Sequence, residues 1–260
     1  MISFSEIEFI KNTIFLAGKR ILDSQKDNLK IKYKKDQSPL TKADLASNEI
    51  IVSDLKRKFN GISIISEENK NRKVSDFFFL IDPLDGTKEF IKGSPEFTVN
   101  IALIKNKEPC FGFICIPKLG KIYWNNTSKS FVEINNEKKV IKCRNCFKRL
   151  DIEVSKSHMD QKTENFLQSI KYRKINSSGS SLKICNIADG TSNIYPRYSE
   201  TMEWDIAAGH SILKKAGGEI FDSNLSPLVY GKKNFLNKSF IAIGDKKIPK
   251  MIMKNYISNL

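Results

Sequence analysis

The chain has 260 residues, 40% hydrophobic and 10% aromatic, enough apolar mass for a folded core and too much for intrinsic disorder. Its longest uninterrupted apolar run is Phe77-Phe78-Phe79-Leu80-Ile81, whereas a membrane-spanning helix needs about 20 residues. The 44 Lys and Arg exceed the 29 Asp and Glu by 15, but only seven of them are Arg and the lysines are scattered, so no dedicated nucleic-acid surface is expected.

Between Ser5 and Arg20 the charged Glu6, Glu8, Lys11 and Lys19 interrupt the apolar residues, so no export signal is read and a cytoplasmic protein is expected. A peripheral association with the inner membrane face, aided by the positive charge, stays open. The five cysteines (110, 115, 143, 146 and 185) are an odd number and are read as reduced thiols. Cys143-x-x-Cys146 has no second pair to complete a zinc site, and reads as two incidental thiols.

In chain order, Ile7, Ile10, Ile14, Ala17 and Ile21 keep helical spacing and predict an amphipathic helix over about 4 to 24. A polar stretch with a Ser38-Pro39 turn follows, then a helix from near Thr41 through Ile50, Ile51 and Leu55. Ile62 to Ile65 reads as a short strand and Phe77 to Ile81 as a fully buried one. Phe97 to Ile104, Phe111 to Ile116 and Lys121 to Trp124 read as successive strands of a sheet. The pattern changes across the Asn- and Lys-rich stretch 125 to 148. Beyond it come a strand at 152 to 154, helices at 162 to 170 and 181 to 188, and a helix from Trp204 to Ala216 ended by Gly217-Gly218. This mixture predicts layered α and β structure with a soft boundary near residue 145.

The strongest chemical signal is Asp82-Pro83-Leu84-Asp85-Gly86-Thr87. The buried strand should deliver both carboxylates at its C-terminal end, and Pro83 and Gly86 should turn the chain so that Asp82 and Asp85 approach one point. Two carboxylates held together raise each other's pKa unless a cation neutralises them, and a hard cation such as Mg²⁺ takes oxygen ligands of this kind. Read alone, the run also fits a solvated turn. Ser66-Glu67-Glu68 follows another strand, and Asp205 opens the Trp204 helix. Each alone reads equally as a loop acid or as a first-turn acid favoured by the helix dipole. Together, four acidic positions at element ends fit a two-metal phosphoryl-transfer site.

The Asp82–Thr87 run and Trp204-Asp205-Ile206-Ala207-Ala208-Gly209, in this order, resemble the two signatures of the inositol monophosphatase superfamily of Mg²⁺-dependent, lithium-sensitive phosphatases. The likeness covers about residues 5 to 245. Within the superfamily the chain is most similar to the CysQ-type 3′(2′),5′-bisphosphate nucleotidases. The residues carrying that likeness are Ser38 through Asp44, Ser66-Glu67-Glu68, Asp82 through Lys92, Glu96 through Leu103, Ser155-x-Ser157-His158, Gly179 through Lys183, Tyr195-Pro196-Arg197 and Ala207 through His210. Lys88-Glu89-Phe90 is typical of the nucleotidase branch.

The resemblance implies an α+β fold, the layered αβαβα sandwich of the inositol monophosphatase and sugar phosphatase type. Residues 1–145 would form a half carrying most metal ligands, and 146–260 a half carrying Asp205 and the substrate-recognition segments. Two or three Mg²⁺ ions would be held by Glu67, Asp82, Asp85, Asp205 and the Leu84 carbonyl; of the Glu pair, Glu67 matches the family ligand. Asp44 and Thr87 would position and deprotonate the attacking water, although Asp44 also reads as a helix-start acid. The amides of Gly86 and Thr87 would face a phosphate oxygen. Glu67, Leu84, Asp85 and Asp205 would also border the substrate.

The implied reaction is hydrolysis of the 3′-phosphate of adenosine 3′,5′-bisphosphate, with 3′-phosphoadenylyl sulfate as an open second substrate, in sulfur assimilation. The second phosphate needs a cationic site, for which Lys183 and Arg197 are the candidates, with amides of Gly179, Ser180 and Ser181 as further donors. An inositol monophosphatase or broad sugar-phosphate phosphatase is the alternative, and a non-catalytic polyanion-binding protein the rival from a different class. The partner is thus a small nucleotide bisphosphate; oligomeric state is not legible. His158 and His210 are expected to pack or hydrogen-bond rather than ligate metal. Only 14 residues (68 to 81) separate Glu67 from Asp82, shorter than the family pattern. A short hairpin should close this connection, which leaves any lid role for it open.

Overall fold

The computed structural model describes residues 2–25, 32–33, 39–69, 72–145, 150–157, 159–247 and 250–260, with the backbone alone at Met251. Ser38, Lys70, Asn71, Cys146 and His158 lie outside the described residues.

Helix α1 (Phe4–Ser24) starts at a Ser3–Glu6 capping box, which satisfies orphan amides of its first turn. Strand β1 (Lys32–Tyr33) pairs antiparallel with β2 (Pro39–Leu40), so Pro39 stands in extended chain rather than in a turn. Helix α2 (Lys42–Lys58) is capped by Thr41 and Asp44. Then come β3 (Ser63–Ser66), β4 (Phe77–Asp85), the short α3 (Thr87–Ile91), β5 (Thr98–Lys105), β6 (Glu108–Ile116), β7 (Lys121–Asn125), β8 (Ser130–Ile134) and β9 (Glu137–Ile141). These seven strands, β3 to β9, form one sheet in sequence order. The Asn- and Lys-rich stretch therefore carries a hairpin rather than the end of a pattern. Asn135 and Asn136 both take positive φ, 50° and 65°, the two-residue turn that matches strand twist.

The second half contains β10 (Leu150–Ser155), α4 (Gln161–Ser169), β11 (Tyr172–Ser178), α5 (Leu182–Ala188), β12 (Ile194–Arg197) and β13 (Thr201–Met202). It continues with α6 (Glu203–Ala216), β14 (Glu219–Asp222), β15 (Leu236–Asn237), β16 (Phe240–Ile243) and α7 (Lys250–Ser258). Its five-stranded sheet runs β11-β10-β12-β16-β14, and β13 pairs with β15 apart from it.

The layers follow from alternation along buried strands, which send successive side chains to opposite faces. From β4, Phe79 and Ile81 join Ile10, Ile14 and Ile51 of α1 and α2. Phe78 and Leu80 join Ile184, Ala207, Ala208 and Ile212 of α5 and α6, together with Tyr195, Phe240 and Ala242 of the second sheet. The far face of that sheet, Ile152, Val154 and Ile241, covers Phe166 of α4 with Ile252 and Tyr256 of α7. The result is helix, sheet, helix, sheet, helix: the layered αβαβα sandwich. No helix among the described residues is long and apolar enough to cross a membrane.

Two local expectations are corrected. Strand β4 continues to Asp85, and its pairing slips between Asp82, opposite Asn100, and Asp85, opposite Thr98. The carboxylates thus sit on a bulge inside the strand, where Pro83 needs no ladder bond, and the turn begins only at Gly86. Strands β3 and β4 are parallel, so their connection is no hairpin.

Candidate active site

The β4 bulge lies where the two sheets meet around α5 and α6, and it opens into a cavity of about 260 Å³. Glu67, Asp85, Gly86, Thr87, Gly179, Ser180, Ser181, Lys183, Arg197 and Asp205 line it. Glu68, Asp44, Asp82 and Leu84 do not; the last three are buried behind its wall.

Each carboxylate is oriented by backbone. The Leu84 amide donates to Asp82 Oδ1 (3.0 Å), the Met202 amide to Asp205 Oδ2 (2.9 Å), and the Ser181 amide to Asp85 Oδ2 (2.6 Å). The Asp85 contact crosses from β4 to the start of α5. Ser181 Oγ in turn donates to Asn100 Oδ1 (2.8 Å) on β5, which ties the two halves together at the cavity floor.

Burial raises the pKa of these acids, and mutual repulsion adds to it. Desolvation, then the charges of Glu67, Asp85 and Asp205, push Asp82 well up. Asp205 rises through desolvation and the charges of Asp85 and Glu67. Asp85 rises to about 6 through desolvation, offset by Lys183 and the Ser181 amide. Among the described residues, no three His, Cys, Asp or Glu gather around one point as a ready-made coordination cluster. What Glu67, Asp82, Asp85 and Asp205 offer together is negative charge with oxygen donors only, and the three aspartates are desolvated. That donor set fits a hard divalent cation and no soft one.

Asp44 uses both of its carboxylate oxygens. Thr41 donates to Oδ2 from its amide (2.7 Å) and its hydroxyl (2.6 Å), the cap of α2. The Thr87 hydroxyl lies 3.2 Å from Oδ1 and also 3.2 Å from the Leu84 carbonyl. Desolvation raises the Asp44 pKa against its Thr41 hydrogen bonds.

In the same cavity, Lys183 Nζ donates to the Ser180 carbonyl (2.6 Å) and sits 5.5 Å from the Tyr195 ring centre. Burial lowers its pKa, Asp85 counters this, and Arg197 adds to the lowering. Arg197 Nε donates to the Ser199 carbonyl (3.2 Å). Both cations are buried.

The amide expectation is corrected at two positions. The Gly179 amide donates to Glu96 Oε2 (3.2 Å) and the Ser181 amide to Asp85, so internal carboxylates already engage both. Ser180 differs. It takes φ +47°, and its hydroxyl is buried without a hydrogen-bond partner, an arrangement that costs free energy.

Glu89, Ser157, Tyr195 and Thr201 also line the cavity. The first three lie inside the quoted motifs and Thr201 outside them, and sequence alone assigns none of them a role. The Ser157 hydroxyl donates to Glu89 Oε1 (2.6 Å), which closes the rim between the halves. His210 bonds Glu219 through Nε2 (2.6 Å) and Tyr230 through Nδ1 (2.9 Å), a buried packing role.

Comparison with known proteins places this geometry. The 3′(2′),5′-bisphosphate nucleotidase CysQ of Shigella flexneri is 38% identical over 212 residues, 80% of this chain and 86% of its own. That of Buchnera aphidicola subsp. Acyrthosiphon pisum is 40% identical over 233 residues, 86% of each chain. Among solved structures, CysQ from Bacteroides thetaiotaomicron, described as a bacterial member of the inositol monophosphatase family, superimposes with a TM-score of 0.80 at 34% identity, over 93% of this chain and 98% of its own. A Thermotoga maritima IMPase shares the fold, with a TM-score of 0.81 at 22% identity over 99% of this chain and 100% of its own. The family description "Inositol monophosphatase family" matches residues 5–257, a span that takes in both signatures, the β4 bulge and the start of α6, and the chain belongs to that family.

Proposed function

We propose that the chain hydrolyses the 3′-phosphate of adenosine 3′,5′-bisphosphate to AMP and phosphate, with 3′-phosphoadenylyl sulfate as a second substrate, in the housekeeping of sulfur assimilation. One observation carries this reading: a single cavity is lined by the carboxylates of Glu67, Asp85 and Asp205 and by the buried cations Lys183 and Arg197. A monophosphate has one anionic group to place, whereas a 3′,5′-bisphosphate has two. The two buried cations suit the second.

Glu67, Asp82, Asp85, Asp205 and the Leu84 carbonyl would hold two or three Mg²⁺ ions. The chemistry Mg²⁺ supplies when bound is neutralisation of charge on the phosphoryl group and a lowered pKa for water. Thr87 and Asp44 handle the proton. As water attacks phosphorus in line, its proton passes to Thr87 Oγ1 while the Thr87 proton passes to Asp44 Oδ1, 3.2 Å away. The 3′-oxygen leaves with the P–O electron pair and takes a proton from water to become the 3′-hydroxyl, and no covalent enzyme intermediate forms. Burial raises the Asp44 pKa, which suits a group that must accept a proton. Lys183 fixes its ammonium on carbonyls of its own turn, leaving a third N–H for the 5′-phosphate. Arg197 adds a planar donor fork.

The test is phosphate release with Mg²⁺ from adenosine 3′,5′-bisphosphate, inositol 1-phosphate and fructose 1,6-bisphosphate. The nucleotide should give the highest kcat/KM, EDTA should abolish release, and Asp85→Asn should be inactive yet fold cooperatively. A preference for inositol 1-phosphate would overturn the role of the cation pair. An active Asp85→Asn would overturn the metal assignment.

A further inference from the structure

We propose that Arg72 is a positioning residue that presets Glu67 for the cation; this rests on the metal reading of the site. Glu67 and Asp205 come from different elements, the end of β3 and the first turn of α6. The two charges repel within a buried field, so the backbone must hold them in place before any cation arrives. The short connection from β3 to β4 supplies the holder.

Arg72 spends its planar fork on that turn. Its Nη2 donates to the Glu67 carbonyl (2.6 Å) and its Nε to the Asn69 carbonyl (3.0 Å). The guanidinium lies 4.5 Å from the Trp204 ring centre and 5.9 Å from that of Phe235. Trp204 immediately precedes Asp205. One side chain therefore grips the backbone of Glu67 and stacks on the residue next to Asp205.

The rest of the turn is fixed from the other side. The Glu67 amide donates to the Ile81 carbonyl (3.1 Å), next to Asp82. Asn48 of α2 accepts from Ser66 Oγ (2.6 Å) and donates to Asn69 Oδ1 (3.3 Å). With its carbonyl side released, the Glu67 backbone would pivot about these remaining bonds and carry its carboxylate away from Asp205. A lysine keeps the charge but has neither the two-pronged geometry nor the flat face for stacking. Partners that orient a metal ligand are worth about 10- to 100-fold in metal affinity.

The experiment is calorimetric titration of Mg²⁺ into the EDTA-stripped full chain, with Arg72→Ala, Arg72→Lys and Glu67→Gln beside the wild type. Both Arg72 variants should bind Mg²⁺ about tenfold more weakly. In turnover the half-saturating Mg²⁺ concentration should rise by more than kcat falls. A generally loosened fold would lower the melting point in EDTA, and Arg72→Lys should not. If Arg72→Ala fails to fold, Arg72→Lys decides alone. Wild-type Mg²⁺ affinity in Arg72→Lys, with weakened binding in Glu67→Gln, would overturn the positioning role and leave the metal reading standing. Wild-type affinity in Glu67→Gln would overturn both.

Discussion

At the scale of single residues, the acids of the site are held by hydrogen bonds from neighbouring amides and hydroxyls. Asp44 gives Oδ2 to the helix cap and Oδ1 to Thr87; Asp85 gives Oδ2 to the Ser181 amide and lines the cavity. Lys183 and Arg197 are two like charges buried at the same cavity; burial lowers the Lys183 pKa, Asp85 counters this and Arg197 adds to the lowering. Burying cations costs stability that a bound anion offsets, which is why the two read as a phosphate site. Arg197→Ala should therefore remove about 2 kcal/mol of charge-assisted binding, roughly a thirtyfold loss in kcat/KM for adenosine 3′,5′-bisphosphate. Inositol 1-phosphate, which has no second phosphate, should lose much less. Steady-state kinetics on both substrates check this, and an equal loss on both would place Arg197 at the scissile phosphate instead.

At the scale of elements, close approach rather than propensity sets the positions. Helix α6 lies so near β6 that a Cβ on Gly112 would fall 2.1 Å from the Ala208 carbonyl oxygen. Gly112→Ala should push α6 outward, lowering stability by about 3 kcal/mol in urea unfolding. Activity should also fall, because Asp205 rides on that helix. Sequence patterning reached the elements whose signals are local: Ile7 to Ile21 for α1, Thr41 with Asp44 for the α2 cap, and Phe77 to Ile81 for the buried strand. Three of the four carboxylates stand at element ends, Glu67 just after a strand, Asp85 closing one and Asp205 in the first turn of a helix, whereas Asp82 lies inside the β4 bulge. The β8–β9 hairpin was missed although Asn135-Asn136 stood between two strand-like runs, because its lysines face outward and hide the alternation. The parallel β3–β4 pair, and with it the Arg72 stack on Trp204, was out of reach. No local pattern states which strand lies beside which, or that two distant residues meet.

At the scale of the whole molecule, the two sheets and the helices between them hold the acids together at the cavity wall before any ligand enters. The metal-free protein must then bear their repulsion, and its stability should depend on pH in a direction opposite to that of salt-bridged acids. A carboxyl whose pKa is raised in the folded state holds its proton there while the unfolded chain has lost it. Its contribution to stability is fully present below the ordinary value of 3.8 and is lost as pH rises through the folded value, about 6 for Asp85. Asp82 and Asp205 are raised as well and extend the loss above that point. In EDTA the melting temperature should fall between pH 5 and pH 7, the range in which many proteins are most stable. Saturating Mg²⁺ should reverse the fall. A hundredfold excess over Kd adds about 2.7 kcal/mol, on the order of 5 to 10 °C for a chain of this size. Scanning calorimetry over that pH range, with EDTA and with Mg²⁺, reads both effects. If the melting temperature in EDTA stayed flat from pH 5 to 7 and ignored Mg²⁺, the acids would not be sharing a field, and the cavity would not be a cation site.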